Sequence, residues 1–416
     1  MKTSRTSSSV STRAAQPLDN PVPIGRSFAF ALLVVVLSAC GGGSDDGTPS
    51  ASAPTATPTT VASTPTSDAT PDRTPPPLPI PDTEPAENIS LPDGFSAYAI
   101  ATGFFRPTSI ALSPDDGTLF VSERHGTVER IVDTDGDGVF ESSTTFARTS
   151  GDITGVLAAP DGGIYVSNTG SLLLMWDTDG DGESDSSDEI VSDLPSGRHQ
   201  NNGLVLGPDG NLYLANGSTC DECDEENERS ATILQMGADG SNPRVFASGL
   251  RNPYDLVFDA QGRLWATDNG SDTPCETIDE LDLIVDGGDY GWPYAEDGCD
   301  PLTDGIPPVA SLGLHTAATG IDAYQGGQFP PDYRGDLFLT LWGSFVAEPE
   351  LAPQLLRATI DDTRDDPQGA IRPFADGFRH PIDVLVDRDG TLLVLDYGEG
   401  GVDDRDGTLY RIVYTG

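Results

Sequence analysis

The apolar residues of this chain fall into short runs that recur in one repeated unit from about residue 89 onwards. Each unit has a turn of the Pro-Asp-Gly type, a short apolar or alternating run, a small polar loop and a second such run. Two copies read SPDDGTLFVSERHGTVERI from Ser113 and GPDGNLYLANGS from Gly207. Turn residues beside short apolar runs predict β-hairpins, and no long segment has helical periodicity. The pattern therefore predicts an all-β fold.

Six glycines mark the turns of these units. They are Gly117, Gly162, Gly210, Gly262, Gly335 and Gly390, with separations of 45, 48, 52, 73 and 55 residues. These separations match the period of about 40–50 residues of β-propeller blades, with insertions. We therefore predict a six-bladed β-propeller over residues 89–416, in preference to a β-sandwich with coincidental turns. The strand ending near Tyr414 is expected to pair near the segment from Leu91 and close the ring.

The first forty residues have the features of a targeting segment and are excluded from the fold. Basic residues from Lys2 to Arg26 precede an apolar run at 28–37, which is too short to span a bilayer as a helix. The run ends in Leu-Ser-Ala-Cys, which resembles the bacterial lipobox. We predict a lipoprotein signal peptide at 1–40 with lipidation at Cys40, in preference to an ordinary signal peptide with a chance cysteine.

Residues 41–88 are rich in Gly, Ser, Thr and Pro. Such a composition buries too little apolar surface to offset the entropy of ordering the chain. We predict a disordered linker that tethers the propeller to its lipid anchor. The expected location is the cell envelope, with the protein exported and attached to the membrane only through the lipid.

The chain of 416 residues has a formal net charge of −45, and Lys2 is its only lysine. A nucleic-acid-binding surface needs a basic patch, so nucleic acid is excluded as a partner. The charge fits an acidic solvated surface, or one that collects divalent cations.

Four cysteines follow the linker: Cys220, Cys223, Cys275 and Cys299. In an oxidising compartment an even number suggests disulfides. The first choice is Cys220–Cys223 with Cys275–Cys299, although four cysteines allow three connectivities. Cys220 and Cys223 are also spaced as half a zinc site or a redox motif, but no second C-x-x-C completes a zinc site.

Two stretches, from Asp133 and from Asp177, read Asp-Thr-Asp-Gly-Asp-Gly. Acids at positions 1, 3 and 5 with glycine at 6 match the start of a calcium loop. Position 12 is Asp188 in the second copy but Thr144 in the first. The second copy is therefore the better candidate for a calcium site. Its predicted ligands are Asp177, Asp179, Asp181 and Asp188. The alternative is a pair of acidic turns with no bound ion.

Four longer stretches carry a family resemblance. They are SGRHQNNGLVLGPDGNLYLANGSTCDEC from Ser196, SGLRNPYDLVFDAQGRLWATDNG from Ser248, DELDLIVDGGDYGWP from Asp279 and FRHPIDVLVDRDGTLLVLDYG from Phe378. The Arg-Asn-Pro and Gly-Trp-Pro segments at this spacing resemble the PQQ-dependent glucose/sorbosone dehydrogenase family. The first stretch is closer to its sorbosone dehydrogenase-like branch. The resemblance covers most of residues 91–416 and implies a six-bladed propeller with pyrroloquinoline quinone (PQQ) and calcium over its channel.

The resemblance implies roles for individual residues. His199 would be the general base, since an imidazole titrates near neutrality. An arginine fork suits the carboxylates of PQQ. The residues implied for the cofactor are Arg251, Asn252 and, in the last blade, Arg379. Those implied for calcium are the carbonyls of Gly270 and Ser271 beside the cofactor, and Glu280 and Tyr290 at a second, structural site.

The predicted function is that of a quinoprotein dehydrogenase that oxidises a sugar-like alcohol or aldose. No C-x-x-C-H haem motif is present in this sequence, so a separate electron acceptor in the envelope is expected. The loop LTLWGSFVAEPELAP, from Leu339, lacks the basic residues found there in the family. This favours the alternative of a non-catalytic, calcium-stabilised propeller that binds glycans or proteins. A calcium-dependent lactonase is a third possibility, which the Arg251-Asn252 pair does not suggest.

Overall fold

The computed structural model describes residues 80–114, 116–271, 278–294, 305–344, 352–361, 363, 367–401 and 404–416. Within these ranges the chain forms six sheets, and all their strand pairs are antiparallel except one short parallel pair. The inner strand of each sheet contacts the inner strands of the two neighbouring sheets. The predicted six-bladed β-propeller is confirmed. Cys40 and residues 1–79 lie outside the described residues.

The first three blades follow the chain in order. β1 (Phe95–Phe104) precedes them and belongs to the last blade. Blade one contains β2 (Pro107–Leu112), β3 (Leu119–Glu123), β4 (Thr127–Val132) and β5 (Ser142–Arg148). Blade two contains β6 (Ile153–Ala158), β7 (Ile164–Asn168), β8 (Ser171–Trp176) and β9 (Ser186–Val191). Blade three contains β10 (Asn201–Leu206), β11 (Asn211–Asn216), β12 (Thr232–Gly237) and β13 (Arg244–Ser248).

The remaining blades are built in the same way. Blade four contains β14 (Pro253–Phe258), β15 (Leu264–Asp268), β16 (Ile278–Ile284) and β18 (Ala310–Leu314), while the short β17 (Gly288–Asp289) pairs in parallel with β13. Blade five contains β19 (Ala318–Ala323), β20 (Leu337–Leu341), β21 (Gln354–Asp361) and β22 (Gln368–Asp376), with a 3-10 helix at Pro331–Tyr333. Blade six contains β23 (Pro381–Val386), β24 (Leu392–Asp396) and β25 (Gly407–Tyr414).

The ring is closed by strands from the two ends of the described chain. β1 pairs antiparallel with β25, with Phe95 opposite Tyr414, and forms the outer strand of blade six. The inner strand β23 also contacts β2 of blade one. The expected closure is therefore confirmed, and no blade is left without a neighbour among the described sheets.

The repeated turns follow from glycine chemistry. Gly210 has φ of 79°, in the left-handed region that favours glycine. Its amide donates to the carbonyl of Gly207 at 2.9 Å, and Asp209 accepts from the amide of Asn211 at 3.1 Å. This tight turn places β10 and β11 side by side.

The core lies between neighbouring blades because strand side chains alternate between the two faces of a sheet. Trp265 of β15 is fully buried with Leu339 of blade five, while its neighbour Ala266 packs with Tyr213 of blade three. The Trp265 Nε1 donates to Asp259 at 2.9 Å. Each sheet therefore contributes to two apolar layers.

Every inner strand has an irregular register at its first residues. In β10 the shift lies between Asn201 and Leu204, and in β14 between Pro253 and Asp255. Such bulges redirect side chains at the end of a strand. They occur at the end of the blades where the candidate site lies.

The described chain starts within the segment that was predicted as a linker. Pro85 forms a bridge with Tyr98, and Ser90 with Asp376, while Ile89 is buried in the core of blades five and six. The last residues before β1 therefore cover the outer edge of the propeller. Across the described residues, no helix has the length and apolar character needed to cross a membrane.

Candidate active site

The candidate site lies at one end of the ring, where six pairs of loops meet. Each inner strand begins opposite the last residue of its partner strand: Asn201 opposite Asn216, and Pro253 opposite Asp268. The loops that enter inner strands and those that leave second strands therefore share one end of the propeller. His199 and Arg251 both lie in such loops.

Two adjoining cavities open at this end, with volumes of about 190 Å³ and 180 Å³. They share Asn252, Asn269 and Ala317, so we describe them as one cleft with an outer and an inner part. The outer part is lined by His199, Arg251, Asn252, Asn269, Gly270, Asp279, His315, Ala317, Gly343 and Ser344. The inner part is lined by Thr108, Arg124, Thr154, Gln200, Asn252, Tyr254, Asn269, Ala317, Thr319, Trp342, Ile382 and Tyr397.

His199 is held in one tautomer by a short chain of hydrogen bonds. The Ser218 hydroxyl donates its single proton to the Cys220 carbonyl at 2.7 Å. Nδ1 of His199 lies 2.9 Å from the same hydroxyl oxygen and must therefore donate to it. The proton on Nδ1 leaves the lone pair of Nε2 as the acceptor of the ring, which is the form that a general base requires.

The environment keeps this imidazole neutral. Burial lowers the pKa of His199 to about 3, and the nearby charges of Arg251 and Arg198 add to the effect. The neutral ring is therefore the form present at physiological pH. A negative ligand beside Arg251 would offset part of this positive potential and raise the pKa of His199.

Arg251 is buried in the wall of the cleft and is strongly held. Its side chain is 5% exposed and forms an ion pair with Asp221 from blade three. Its guanidinium also donates to the Asn269 carbonyl at 3.1 Å and to the Asp221 carbonyl at 3.3 Å. The structure thus brings Arg251 and His199 into the lining of one cavity and gives Arg251 a carboxylate partner that the sequence did not reveal.

Asn252 lies at the junction of the two cavities and is oriented by amide contacts. Its Oδ1 accepts from the Asn202 amide at 2.9 Å, and its backbone N–H donates to Asp268 at 2.7 Å. With Oδ1 occupied, the Asn252 amide group can present its N–H donors to a ligand in the cleft. Asn269 donates to the Asn252 and Ala318 carbonyls at 3.2 and 2.9 Å, which links blades four and five.

Two buried carboxylates support the cleft from blade four. Asp268 accepts from the backbone amides of both Arg251 and Asn252, and burial raises its pKa to about 7. Asp279 accepts from the Gly270 amide at 3.0 Å and the Thr316 hydroxyl at 2.8 Å. Sequence reasoning assigned neither residue a role, although both lie in the stretches that carried the resemblance.

Two calcium sites were predicted, one beside the cofactor and one structural. Their residues lie in blade four and at its border with blade three. Gly270 lines the outer cavity, and Ser271 is fully buried beside it. Glu280 lies in β16 opposite Asp268. The Tyr290 hydroxyl donates to the Leu283 carbonyl at 2.6 Å, so its phenol is tied to the same strand. Their binding of calcium stays a prediction.

The inner cavity has an aromatic wall and a cation that the sequence did not indicate. Trp342 stacks on His380 with ring centroids 3.9 Å apart, and His380 Nδ1 lies 2.8 Å from the Trp342 carbonyl. Tyr397 meets Trp342 edge-on at 6.0 Å. Arg124 of blade one lines the same cavity and bonds Asp152 at 3.2 Å. The fifth-blade loop lacks a basic residue, but blade one supplies one.

Arg379 is not brought into the cleft. Its side chain is 55% exposed and bonds Glu399 at 2.8 Å and Asp406 at 3.4 Å. Its backbone N–H donates a hydrogen bond to the Asp396 carboxylate at 2.8 Å. Among the described basic residues, Arg124 and Arg251 line the cleft instead.

The two acidic loops lie at the other end of the blades, after β4 and β8. In each loop the first aspartate accepts from two glycine amides, at 2.7 and 2.9 Å for Asp133 and at 2.6 and 2.8 Å for Asp177. Asp177, Asp179 and Asp181 place carboxylate oxygens within 4.8 Å of one another.

The fourth carboxylate predicted for the second acidic loop does not join its cluster, and the first loop has a fourth carboxylate that was not predicted. Asp188 lies in β9 opposite Leu174 and is not part of the described cluster. The first loop instead gathers a fourth carboxylate, Glu141, which sequence reasoning missed. Glu141 and its counterpart Asp185 accept from the hydroxyls of Thr134 and Thr178. A carboxylate eight residues after the first aspartate was the signal available in both copies.

Cys220 and Cys223 form a disulfide with an S–S distance of 2.01 Å, which confirms this predicted bridge. Bonded sulfurs cannot act as thiolate ligands, so the half-zinc-site interpretation is wrong for this state of the protein. Cys275 and Cys299 lie outside the described residues, and their pairing stays a prediction.

The described chain is a six-bladed β-propeller with a polar, partly aromatic cleft at one end of the ring. The family described as a domain of unknown function (DUF7133) matches residues 113–406. The chain belongs to this family.

Two curated relatives match part of the chain. An uncharacterized protein of Borreliella burgdorferi is 24% identical over 208 residues, which cover 45% of this chain and 53% of that protein. Quinoprotein glucose dehydrogenase B of Acinetobacter calcoaceticus is 28% identical over 138 residues, or 25% of this chain and 28% of that protein. The chain thus spans about half and about a quarter of the lengths of these relatives.

Solved structures share the fold over their whole length. The PQQ-bound aldose sugar dehydrogenase of Streptomyces coelicolor gives a TM-score of 0.59 at 22% identity, covering 78% of this chain and 99% of that one. The apo-form soluble aldose sugar dehydrogenase of Escherichia coli gives 0.63 at 16% identity, covering 77% and 99%. At these identities the likeness shows the fold, and the sorbosone-like branch stays a prediction.

Proposed function

We propose that this protein is an exported, lipid-anchored quinoprotein dehydrogenase that oxidises a sugar-like alcohol or aldose by hydride transfer to PQQ. The observation that carries the proposal is the position of His199, which lines a cleft together with Arg251 and Asn252 and has its Nδ1 engaged by Ser218. The partial match to quinoprotein glucose dehydrogenase B supports it.

The donors of the cleft fit a planar polycarboxylate. Arg251 supplies positive charge in the outer part of the cleft and Arg124 in the inner part, and Gln200, Asn252 and Asn269 supply amides. Trp342 contributes an aromatic side chain to the lining of the inner part of the cleft. Asp279 is the only acidic residue among the described lining residues. Its carboxylate accepts hydrogen bonds from the Gly270 amide and the Thr316 hydroxyl. Arg124, Arg251 and Asn252 would hold PQQ, with Gly270 and Ser271 as ligands of its calcium.

The residues of the chain would act on the substrate as follows. When bound, PQQ supplies the quinone that accepts a hydride from the substrate carbon. His199 would accept the proton of the substrate hydroxyl on Nε2, while Ser218 keeps Nδ1 protonated. The aromatic wall at Trp342 and Tyr397 would pack against the apolar face of a sugar ring. Electrons would then leave to a separate acceptor in the envelope.

The test is a titration of the purified protein with PQQ, with and without calcium, followed by absorbance and by dye-linked oxidation of aldoses. We expect calcium-dependent binding and turnover. The His199→Gln variant should lose about 100-fold or more in kcat while it still binds PQQ. Absence of both PQQ binding and sugar oxidation would overturn the proposal.

A non-catalytic propeller that binds glycans or proteins is the second candidate. It is favoured by Asp221, which already neutralises Arg251 and would compete with an anionic cofactor. This candidate predicts glycan or protein binding and calcium-dependent stability without affinity for PQQ, so the same titration separates the two.

A further inference from the structure

A small loop of blade three contacts both of the central residues of the cleft. We call residues 217–225, which follow β11, the disulfide loop. The Cys220–Cys223 bond closes it on one side. On the other side Glu225 accepts from the backbone amide and the hydroxyl of Thr219, at 2.5 and 2.6 Å. The loop is thus fixed by a covalent and a polar closure.

The first set of contacts holds His199. The Cys220 carbonyl receives the Ser218 hydroxyl proton, and this leaves the hydroxyl oxygen as the acceptor of His199 Nδ1–H. The His199 amide also donates to the Ser218 carbonyl at 3.1 Å. A Cβ added at Gly217 would lie 2.6 Å from the His199 Cβ, so the loop backbone packs directly against this side chain.

The second set of contacts holds Arg251. The Ser218 amide donates to the Arg251 carbonyl at 2.8 Å. Asp221, which lies between the two bonded cysteines, pairs with the Arg251 guanidinium and accepts from its Nε through the backbone carbonyl at 3.3 Å. Arg198, next to His199 in the chain, also bonds Asp221 at 3.4 Å. One loop therefore orients residues from two blades.

We propose that the disulfide loop is a positioning element that fixes the Nδ1–H tautomer of His199 and the orientation of Arg251. If the Cys220–Cys223 bond is removed, the Cys220 carbonyl is no longer held beside Ser218. The hydroxyl can then donate to His199 Nδ1, which moves the ring proton to Nε2 and removes the acceptor lone pair of Nε2. The catalytic consequence rests on the proposed function, whereas the position of the ring proton does not.

The test is long-range ¹H–¹⁵N NMR of the full chain with ¹⁵N-labelled histidine, because the two ring nitrogens have different shifts in the two tautomers. The chain has only four histidines, and His199→Gln assigns the signal of interest. In the wild type we expect a protonated Nδ1 and an unprotonated Nε2. In the Ser218→Ala and the Cys220→Ser/Cys223→Ser proteins we expect the other tautomer or a mixture of both.

Ser230→Ala is the matched control. Ser230 is also a buried serine of blade three, and its hydroxyl makes no hydrogen bond within the described part of the chain. This variant should keep the wild-type tautomer. A wild-type tautomer in both the serine-for-cysteine protein and Ser218→Ala would overturn the inference.

Activity gives a second readout. In the PQQ-loaded protein, kcat of the serine-for-cysteine variant should fall about tenfold or more, with the KM for the sugar nearly unchanged. A normal kcat together with a changed tautomer would contradict the positioning role. If PQQ does not bind to the wild type, the proposed function fails, but the tautomer measurement still decides whether the disulfide loop orients His199.

Discussion

The buried guanidinium of Arg251 forms an ion pair with Asp221, a residue of the neighbouring blade that lies between two disulfide-bonded cysteines. The Arg251 side chain is 5% exposed and that of Asp221 is 24% exposed. A carboxylate of a ligand at Arg251 must therefore share the guanidinium with Asp221.

Removing the charge of Asp221 should strengthen the binding of an anionic cofactor. In Asp221→Asn the amide oxygen can still accept from Arg251, but it no longer competes as an anion. We expect PQQ affinity to rise several-fold, whereas Arg251→Gln should lower it about tenfold or more, equivalent to about 1.4 kcal/mol. Absorbance titration measures both. Asp286→Asn is the control, because it breaks the surface pair with Arg244. Weaker binding by Asp221→Asn would contradict competition.

Arg124 should act as the second cation of the cleft. Its side chain is 49% exposed, lines the inner cavity and pairs with Asp152 at 3.2 Å. Arg124→Gln should weaken PQQ binding about three- to tenfold, since exposed charges are partly screened. The affinity should also fall with added salt less steeply than in the wild type. Arg244→Gln, at a surface pair outside the cleft, should bind PQQ normally, and equal affinities of the two variants would contradict the assignment.

Calcium should stabilise the protein through the acidic loops, and the first loop should contribute more because Glu141 completes it. A ligand at 100-fold its Kd adds about 2.7 kcal/mol to the free energy of unfolding. We expect the Tm in calcium to fall towards the EDTA value in Asp133→Asn. Asp188→Asn should behave as wild type, because Asp188 lies outside the described cluster. A Tm that does not respond to calcium would mean that both loops are acidic turns.

Stability should increase as the pH is lowered from 8 to 5. Burial raises the pKa of Asp383 to about 7 and that of Asp322 to about 6, and it raises the pKa of Asp255 as well. The folded state then binds more protons than the unfolded state, so stability is lost as the pH rises through these values. His199 has the opposite effect, because its lowered pKa means that stability falls as the pH is lowered below about 6.5. It is one group against several carboxyls.

The measurement is Tm against pH at constant calcium. Asp383→Asn removes one of the titrating carboxyls and should flatten the profile between about pH 5 and 7, below the raised pKa of about 7. It also removes an acceptor for the Ile110 amide, so the absolute Tm is expected to fall. An unchanged or steeper profile in this variant would show that Asp383 is not a source of the pH dependence.

The resemblance singled out His199 and Arg251 from the sequence, but the partners of both residues could not be predicted. Ser218 and Asp221 follow β11 in a loop whose path depends on the disulfide and on the Glu225–Thr219 contacts. No sequence pattern states which carbonyl a serine hydroxyl meets. The sequence likewise did not reveal that Glu141 joins an acidic cluster and that Asp188 does not. The local turn decides which carboxylate joins the cluster, and the spacing of a calcium loop does not.

The sequence by itself determined the six blades. Local chemistry is sufficient for this, since each turn has a glycine in the left-handed region and each turn lies beside short apolar runs. Only the tertiary structure decided which basic residues enter the cleft. Arg124 and Arg379 both adjoin strand ends at the same end of the propeller, but Glu399 and Asp406 hold Arg379 at the surface. The packing of neighbouring blades sets these side-chain directions, and it brings together residues that are far apart in the chain.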